Sequence, residues 1–147
     1  MNSELLIRKA RLNDFDSVYG FVNDLEETEF EIESIKRAFE LNIDDPNSIY
    51  LIAEINNKSV GYLSCHSQFL LHHGGQKIAE IQEMYVNPEN RKMGIGKKMI
   101  NELKRIAYQK GIEQLEVTSN NKRNKTHRFY EREKFVQSHK KFTWKVS

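Results

Sequence analysis

The chain has 147 residues, 38% hydrophobic and 30% charged, with 23 Lys and Arg against 21 Asp and Glu for a formal net charge of +2. That length supports one domain over residues 1–147, while a mean hydropathy of −0.71 and the lack of a long apolar run exclude a membrane span. Near-balanced charge argues against a general nucleic-acid binder, and a lone Cys65 with no secretory signal after Met1 fits the reducing cytoplasm.

Taken in order, Glu4 to Ala10 reads as a first strand. Asn13 or Asp14 then caps a helix whose apolar residues, Phe15, Val18, Tyr19, Val22 and Leu25, fall at helical spacing. A second helix carries Ile32, Ile35, Phe39 and Ile43 and stops before Asp45-Pro46-Asn47. Ile49 to Ile55 and Val60 to Phe69 form a hairpin about the turn Asn56-Asn57-Lys58, and a loop broken by Gly74-Gly75 leads to a strand over Ile78 to Val86. Ile95, Met99, Leu103 and Ile106 make one stripe of a long helix, which Gly111 ends in a left-handed conformation. Ile112 to Thr118 is a strand, Arg123 to Arg132 a short helix, and Phe135 to Val146 a closing strand pair. The order βααβββαβαββ predicts an α/β (α+β) fold: a mixed, mostly antiparallel sheet of six or seven strands, with about four helices on its two faces.

The chemistry concentrates where the strand Glu80-Ile81-Gln82-Glu83-Met84-Tyr85-Val86 runs into Arg91-Lys92-Met93-Gly94-Ile95-Gly96-Lys97. Two glycines at a helix start let an anion approach the backbone. The free N–H groups of the first turn then favour a phosphate or diphosphate, with Arg91, Lys92 and Lys97 adding mobile positive charge. The segment is neither a Walker loop nor a dinucleotide fingerprint, and the bland alternative is an ordinary glycine-containing helix start. Arg-x-x-Gly-x-Gly after Val86-Asn87-Pro88, with Phe129-Tyr130-Glu131 further on, resembles the Gcn5-related N-acetyltransferase (GNAT) superfamily over essentially the whole chain. Within it, Glu80-Ile81-Gln82-Glu83, Asn120, Lys122-Arg123, His127-Arg128-Phe129-Tyr130 and Gln137-Ser138-His139 are similar to the aminoalkylphosphonate N-acetyltransferases. Lys134 stands where the superfamily has Gly, and Thr126 replaces a small Ala.

The resemblance implies acetyl-CoA as co-substrate. Arg91, Lys92, Met93, Gly94, Ile95, Gly96 and Lys97 then bind its diphosphate, Met84, Tyr85 and Val86 line the pantetheine arm, and Asn120 belongs to the same cofactor site. The implied reaction is N-acetylation of a small primary amine, an aminoalkylphosphonate among the candidates, by direct attack in a ternary complex. Such an amine is ammonium at neutral pH, and a carboxylate lifted by burial can take its proton. Glu80 is the base the resemblance implies, and Tyr130 the proton donor to the departing thiolate. Glu80 and Glu83, three apart, face opposite sides of an unbroken strand, so only one reaches the acceptor unless a bulge intervenes. A strand N–H near Met84 suits the thioester oxygen. Cys65 next to His66 cannot form a nucleophile–base pair on one strand and reads as packing.

Asp24, Glu26, Glu27, Glu29, Glu31 and Glu33 form an acidic stretch that can steer a cationic amine or serve as a solvated helix junction. Lys122, Arg123, Lys125, Arg128 and Arg132 form a basic run suited to a phosphonate, a carboxylate or the 3′-phosphate of coenzyme A. His66, His72 and His73 with Glu80 match no specific metal spacing, so no metal is expected. Partners reduce to acetyl-CoA and a small amine, with a homodimer open and no nucleic acid or membrane. Polyamine, aminoglycoside or peptide acceptors remain open, as does a non-catalytic acyl-CoA-binding regulator.

Overall fold

The computed structural model describes residues 4–119 and 123–146. Among the described residues five strands form: β1 (Leu5–Lys9), β2 (Ser48–Ile55), β3 (Lys58–Leu70), β4 (Gln76–Val86) and β5 (Ile112–Val117), in the spatial order β1-β2-β3-β4-β5. β1 to β4 pair antiparallel; β5 runs parallel to β4 because the helix α3 (Ile95–Gln109) carries the chain back along the sheet. Asn56 and Asn57, with φ of 52° and 65°, make the tight turn of the β2–β3 hairpin, a conformation asparagine tolerates well.

Alternation along the strands gives each face its own core. On one face α1 (Phe15–Glu26) and α2 (Ile32–Ile43) bring Phe15, Val18, Phe21, Phe39 and Ile43 against Tyr50, Ile52, Tyr62 and Tyr85. On the other, Leu51, Leu63, Cys65, Ala79 and Ile81 pack on Ile95, Met99, Ile100 and Leu103 of α3, joined by Tyr130 of α4 (Asn124–Arg132). The helices thus sit on both faces, as the mixed element order predicts. No helix among the described residues is long and apolar enough to cross a membrane.

Asp14 does precede α1, but its carboxylate is not spent on capping it. It accepts bonds of 2.8 and 2.9 Å from the Arg8 guanidinium and one of 2.7 Å from the Arg11 N–H. Arg8 holds the Asp14 carboxyl below the usual range and also reaches Glu54 at 3.1 Å, which ties β1 to β2 and to the start of α1. α3 ends as predicted: Gly111 takes φ of 71°, the left-handed value that costs glycine nothing.

The expected six or seven strands are corrected to five, because Phe135 to Val146 does not form the closing pair. Phe135 itself is held, its ring centroid 5.5 Å from that of Tyr130 and its N–H on the Tyr130 carbonyl at 2.9 Å. Beyond it, Val136, Phe142, Trp144 and Val146 are exposed. Their alternation has strand character, but a strand exists only through a partner, and Ser138 to Lys141 lacks the turn chemistry that would fold the segment on itself. Lys134, where the sequence resemblance expects glycine, sits at φ of 75°, a conformation that costs a non-glycine residue about 1 kcal/mol.

Candidate active site

Strands β4 and β5 begin side by side and then part. Their pairing ends at Ile81 opposite Val117, while β4 continues to Val86. From Gln82 onward no strand among the described residues pairs with that side of β4, so its amide and carbonyl groups face a wedge between the strands. Such groups need partners, and an extended ligand with amides of its own supplies them as an added strand would. Just past β5, the Ser119 hydroxyl is buried with no hydrogen-bond partner among the described residues, a second polar group at this fork without a mate.

At the far end of β4 the chain turns into α3. Gly94 takes φ of 77° and its carbonyl accepts the first helical bond, from the Lys98 N–H at 3.1 Å. The N–H groups of Ile95, Gly96 and Lys97 lie before that first bond, at the positive end of the helix dipole. Ile95 is 2% exposed, so only its backbone is available to a ligand, whereas Arg91, Lys92, Met93 and Lys97 are exposed. Arg91 Nε donates to the Val86 carbonyl at 2.9 Å and its guanidinium lies 5.5 Å from the Tyr85 ring centre, which fixes a cation beside the helix start.

A Cβ on Gly96 would come within 3.3 Å of the Phe129 ring and 3.9 Å of the Met84 methyl. Glycine there lets α4 and β4 close on the start of α3. Gly96→Val is expected to push Phe129 outward, at an overpacking cost of about 1–3 kcal/mol. Denaturant titration would show that loss, and calorimetry at least tenfold weaker acetyl-CoA binding; unchanged binding would show that the cofactor does not use this approach.

The carboxylates depart from simple alternation. In the β3–β4 ladder Ser64 faces Glu83 but Cys65 faces Ile81, leaving Gln82 as an extra, exposed residue, a β-bulge. Ala79 and Ile81 before it, and Met84 and Val86 after it, all belong to the α3 side. Glu80, Glu83 and Tyr85 therefore share the α1/α2 side. The bulge that the sequence reading left open is present, and it brings both acids to one face.

The two acids differ in their surroundings. Glu80 accepts a 3.2 Å bond from the Thr118 hydroxyl, across the point where β4 and β5 part. Glu83 takes a 2.5 Å bond from the Ser64 hydroxyl, which in turn accepts from the Glu83 N–H at 3.1 Å. Burial raises the Glu83 carboxyl above its ordinary value; the Ser64 bond, the nearby His66 and the Tyr62 hydroxyl oppose this, and Glu26 adds to it. His66 is held at both ring nitrogens, 3.1 Å from the Ser48 hydroxyl and 3.2 Å from that of Tyr50. His72 and His73 lie against each other in the β3–β4 turn, their ring planes tilted by 58°, and among the described residues no group of three or more His, Cys, Asp or Glu is placed to hold a metal.

Tyr130, on α4, is 7% exposed between Phe129 and Phe135. Burial pushes its phenol up to about 12 against the opposing charge of Arg123. Cys65 is 1% exposed and its thiol is likewise raised to about 12 by burial and by Glu80, which leaves it a packing residue. The structure therefore brings Glu80 and Glu83 to one face beside the unpaired part of β4, which leads to the start of α3, while Tyr130 lies in the core on the other, α3 face of the sheet. It directs Tyr85 elsewhere: the ring lies in the α1/α2 core, the hydroxyl donates to Asp24 at 3.1 Å, and the backbone is paired with Tyr62 of β3. Asn120 lies outside the described residues. Sequence reasoning missed the Ser64 and Tyr62 support of Glu83 and the seating of Phe129 on Gly96. Hydroxyls and a phenyl ring at those positions carry no motif that could have announced them.

A model of the acetyltransferase (GNAT) family matches residues 15–135. An aminoalkylphosphonate N-acetyltransferase of Salmonella typhimurium is 40% identical over 137 residues, which is 93% of this chain and 88% of that protein. An uncharacterized N-acetyltransferase of Archaeoglobus fulgidus is 29% identical over 80 residues, 54% of each chain. Among solved structures, a transcriptional regulator from Bacillus halodurans superposes with a TM-score of 0.89 at 23% identity, over 97% of this chain and 100% of that one. An aminoglycoside N-acetyltransferase in complex with CoA gives 0.88 at 14% identity, over 99% and 96%. At those identities the solved structures speak to the fold.

Proposed function

The chain belongs to the acetyltransferase (GNAT) family, and from that premise we propose that it moves the acetyl group of acetyl-CoA to the amine of an aminoalkylphosphonate. The observation that carries this reading is the 40% identity over 93% of the chain to an enzyme of that name, joined to a fork that carries two carboxylates on one face of the sheet and has a buried tyrosine in the core of the other.

In this reading the N–H groups that open α3, with Arg91, Lys92 and Lys97, hold the diphosphate of acetyl-CoA, and the free edge of β4 from Met84 to Val86 pairs with its pantetheine amides. The Met84 N–H polarises the thioester oxygen. Glu80, at the mouth of the fork, takes the proton of the bound ammonium, and the free amine attacks the thioester carbon. Collapse of the tetrahedral species breaks the C–S bond and expels the thiolate, whose charge the Tyr130 hydroxyl meets with a hydrogen bond, and the extra proton left on the amide nitrogen passes to that thiolate to give the free thiol. Glu83, on the same face, supplies the negative charge that draws the ammonium in. Most of the acceleration comes from holding amine and thioester together, because the uncatalysed reaction is bimolecular.

The direct test is thiol release from acetyl-CoA against a panel of amines, run beside calorimetry with acetyl-CoA alone. Uptake of acetyl-CoA and turnover highest with aminoalkylphosphonates are the expected results. Turnover highest with polyamines or aminoglycosides would change the acceptor. No uptake by the folded protein would remove donor and reaction together.

A further inference from the structure

Arg123 opens α4 and reaches across to the far side of the site. Its Nη2 donates to the carbonyl of Leu25, in the last turn of α1, at 3.4 Å. That contact is long, exposed and made to a neutral atom, and Arg123 forms no ion pair among the described residues. A guanidinium has five donors in a planar fork, so a single weak bond leaves it able to grip an oxyanion. Two other observations locate it. The Arg123 charge acts on the Tyr130 phenol, and the charge of Glu26, next to Leu25, acts on Glu83. The end of α1 thus borders Glu83 on one side and Arg123 on the other, with Tyr130 within reach of the same cation.

The site consequently presents opposite charges to one small ligand: acids on β4 for the ammonium, and a guanidinium at the mouth for a second, anionic group. We propose that Arg123 is the specificity residue that reads the anion of the acceptor, so that the enzyme selects amines carrying a phosphonate or a comparable oxyanion over plain alkylamines. This rests on the acetyltransferase reading above and names the residue that sets its substrate class. Phosphonate suits the position best, because its tetrahedral oxygens accept paired N–H bonds and its charge exceeds that of a carboxylate. The bond to Leu25 explains how Arg123 is kept ready. The carbonyls at the end of a helix carry partial negative charge, enough to orient a cation and too little to neutralise it.

The test compares an aminoalkylphosphonate with the alkylamine of the same chain length, in the wild type, Arg123→Gln and Arg123→Lys. The expected result is that Arg123→Gln lowers the phosphonate-to-alkylamine ratio of kcat/KM at least tenfold, mainly through KM for the phosphonate, while calorimetry gives the wild-type Kd for acetyl-CoA. Arg123→Lys, which keeps the charge and loses the fork, should recover part of the ratio. An equal fall for both amines would overturn the assignment, since it would make Arg123 a structural tie between α4 and α1. Weakened acetyl-CoA binding with the ratio intact would also overturn it, by moving the guanidinium to the 3′-phosphate of the cofactor. A wild type that binds acetyl-CoA but acetylates neither amine would defeat the functional reading itself, and the two failures are told apart by that control.

Discussion

Tyr130→Phe is expected to lower kcat by roughly 100- to 10,000-fold, the usual weight of a positioned proton donor, while the Kd for acetyl-CoA stays within about twofold. The substitution removes one oxygen and keeps the ring that packs between Phe129 and Phe135. The chemistry follows from where burial has left the phenol. At about 12 it remains protonated throughout the neutral range, so it is always in the donor form. A thiol near ~8.5 is the stronger acid, and complete proton transfer from tyrosine to thiolate runs uphill. The hydroxyl therefore serves by hydrogen bonding to charge as it develops on sulfur, and the wild-type kcat should show no basic limb from Tyr130 below about pH 11. Single-turnover measurement isolates the step. If turnover and cofactor binding fall together, the tyrosine is part of the core and nothing more.

The second large effect lies with the paired acids, and the two should separate by kinetic parameter. Glu80→Gln removes the group proposed to take the amine's proton, and kcat should fall by about 100- to 10,000-fold. Glu83→Gln removes a charge that attracts the ammonium, and KM for the amine should rise about 10-fold, the worth of one charge-assisted contact. The pH dependence gives the sign. Burial raises the Glu83 carboxyl, so on acidification it takes up a proton sooner than an ordinary glutamate near ~4.3. Below that point the acceptor side loses a negative charge and KM climbs; in Glu83→Gln the KM should be high at every pH and should lack that climb. A Glu80→Gln enzyme that keeps wild-type kcat, beside a Glu83→Gln enzyme that loses it, would hand the proton to Glu83.

Much of this could be read from the residues, and the places where reading stopped have physical causes. Helical spacing located α1, α2 and α3, and turn chemistry at Asn56-Asn57 and Gly111 located their neighbours, because those signals are local. The start of α3 was legible for the same reason: glycines and cations at consecutive positions act on one ligand. Glu80 and Glu83 were legible as residues and not as a pair, since their common face depends on how β4 lies against Ser64 and Cys65 of β3, far away in the chain. The tail failed in the opposite sense. Phe142, Trp144 and Val146 alternate as a strand does, yet alternation says only that a segment suits a sheet. Arg123 looked like one member of a basic run, and its contact with Leu25 spans 98 positions, beyond the reach of any local pattern.

The extra residue at Gln82 has one more implication. A strand keeps time by twos, and this one skips a beat midway, so that side chains on either flank are out of step. Losing Gln82 outright would leave Glu80 and Glu83 two apart and still on one face, whereas one residue added to β3 between Ser64 and Cys65 would find its partner in Gln82, absorb the bulge and set the two acids on opposite faces. The number of residues in β3 opposite this point is therefore itself part of the chemistry, because it decides whether the two glutamates act on one ligand.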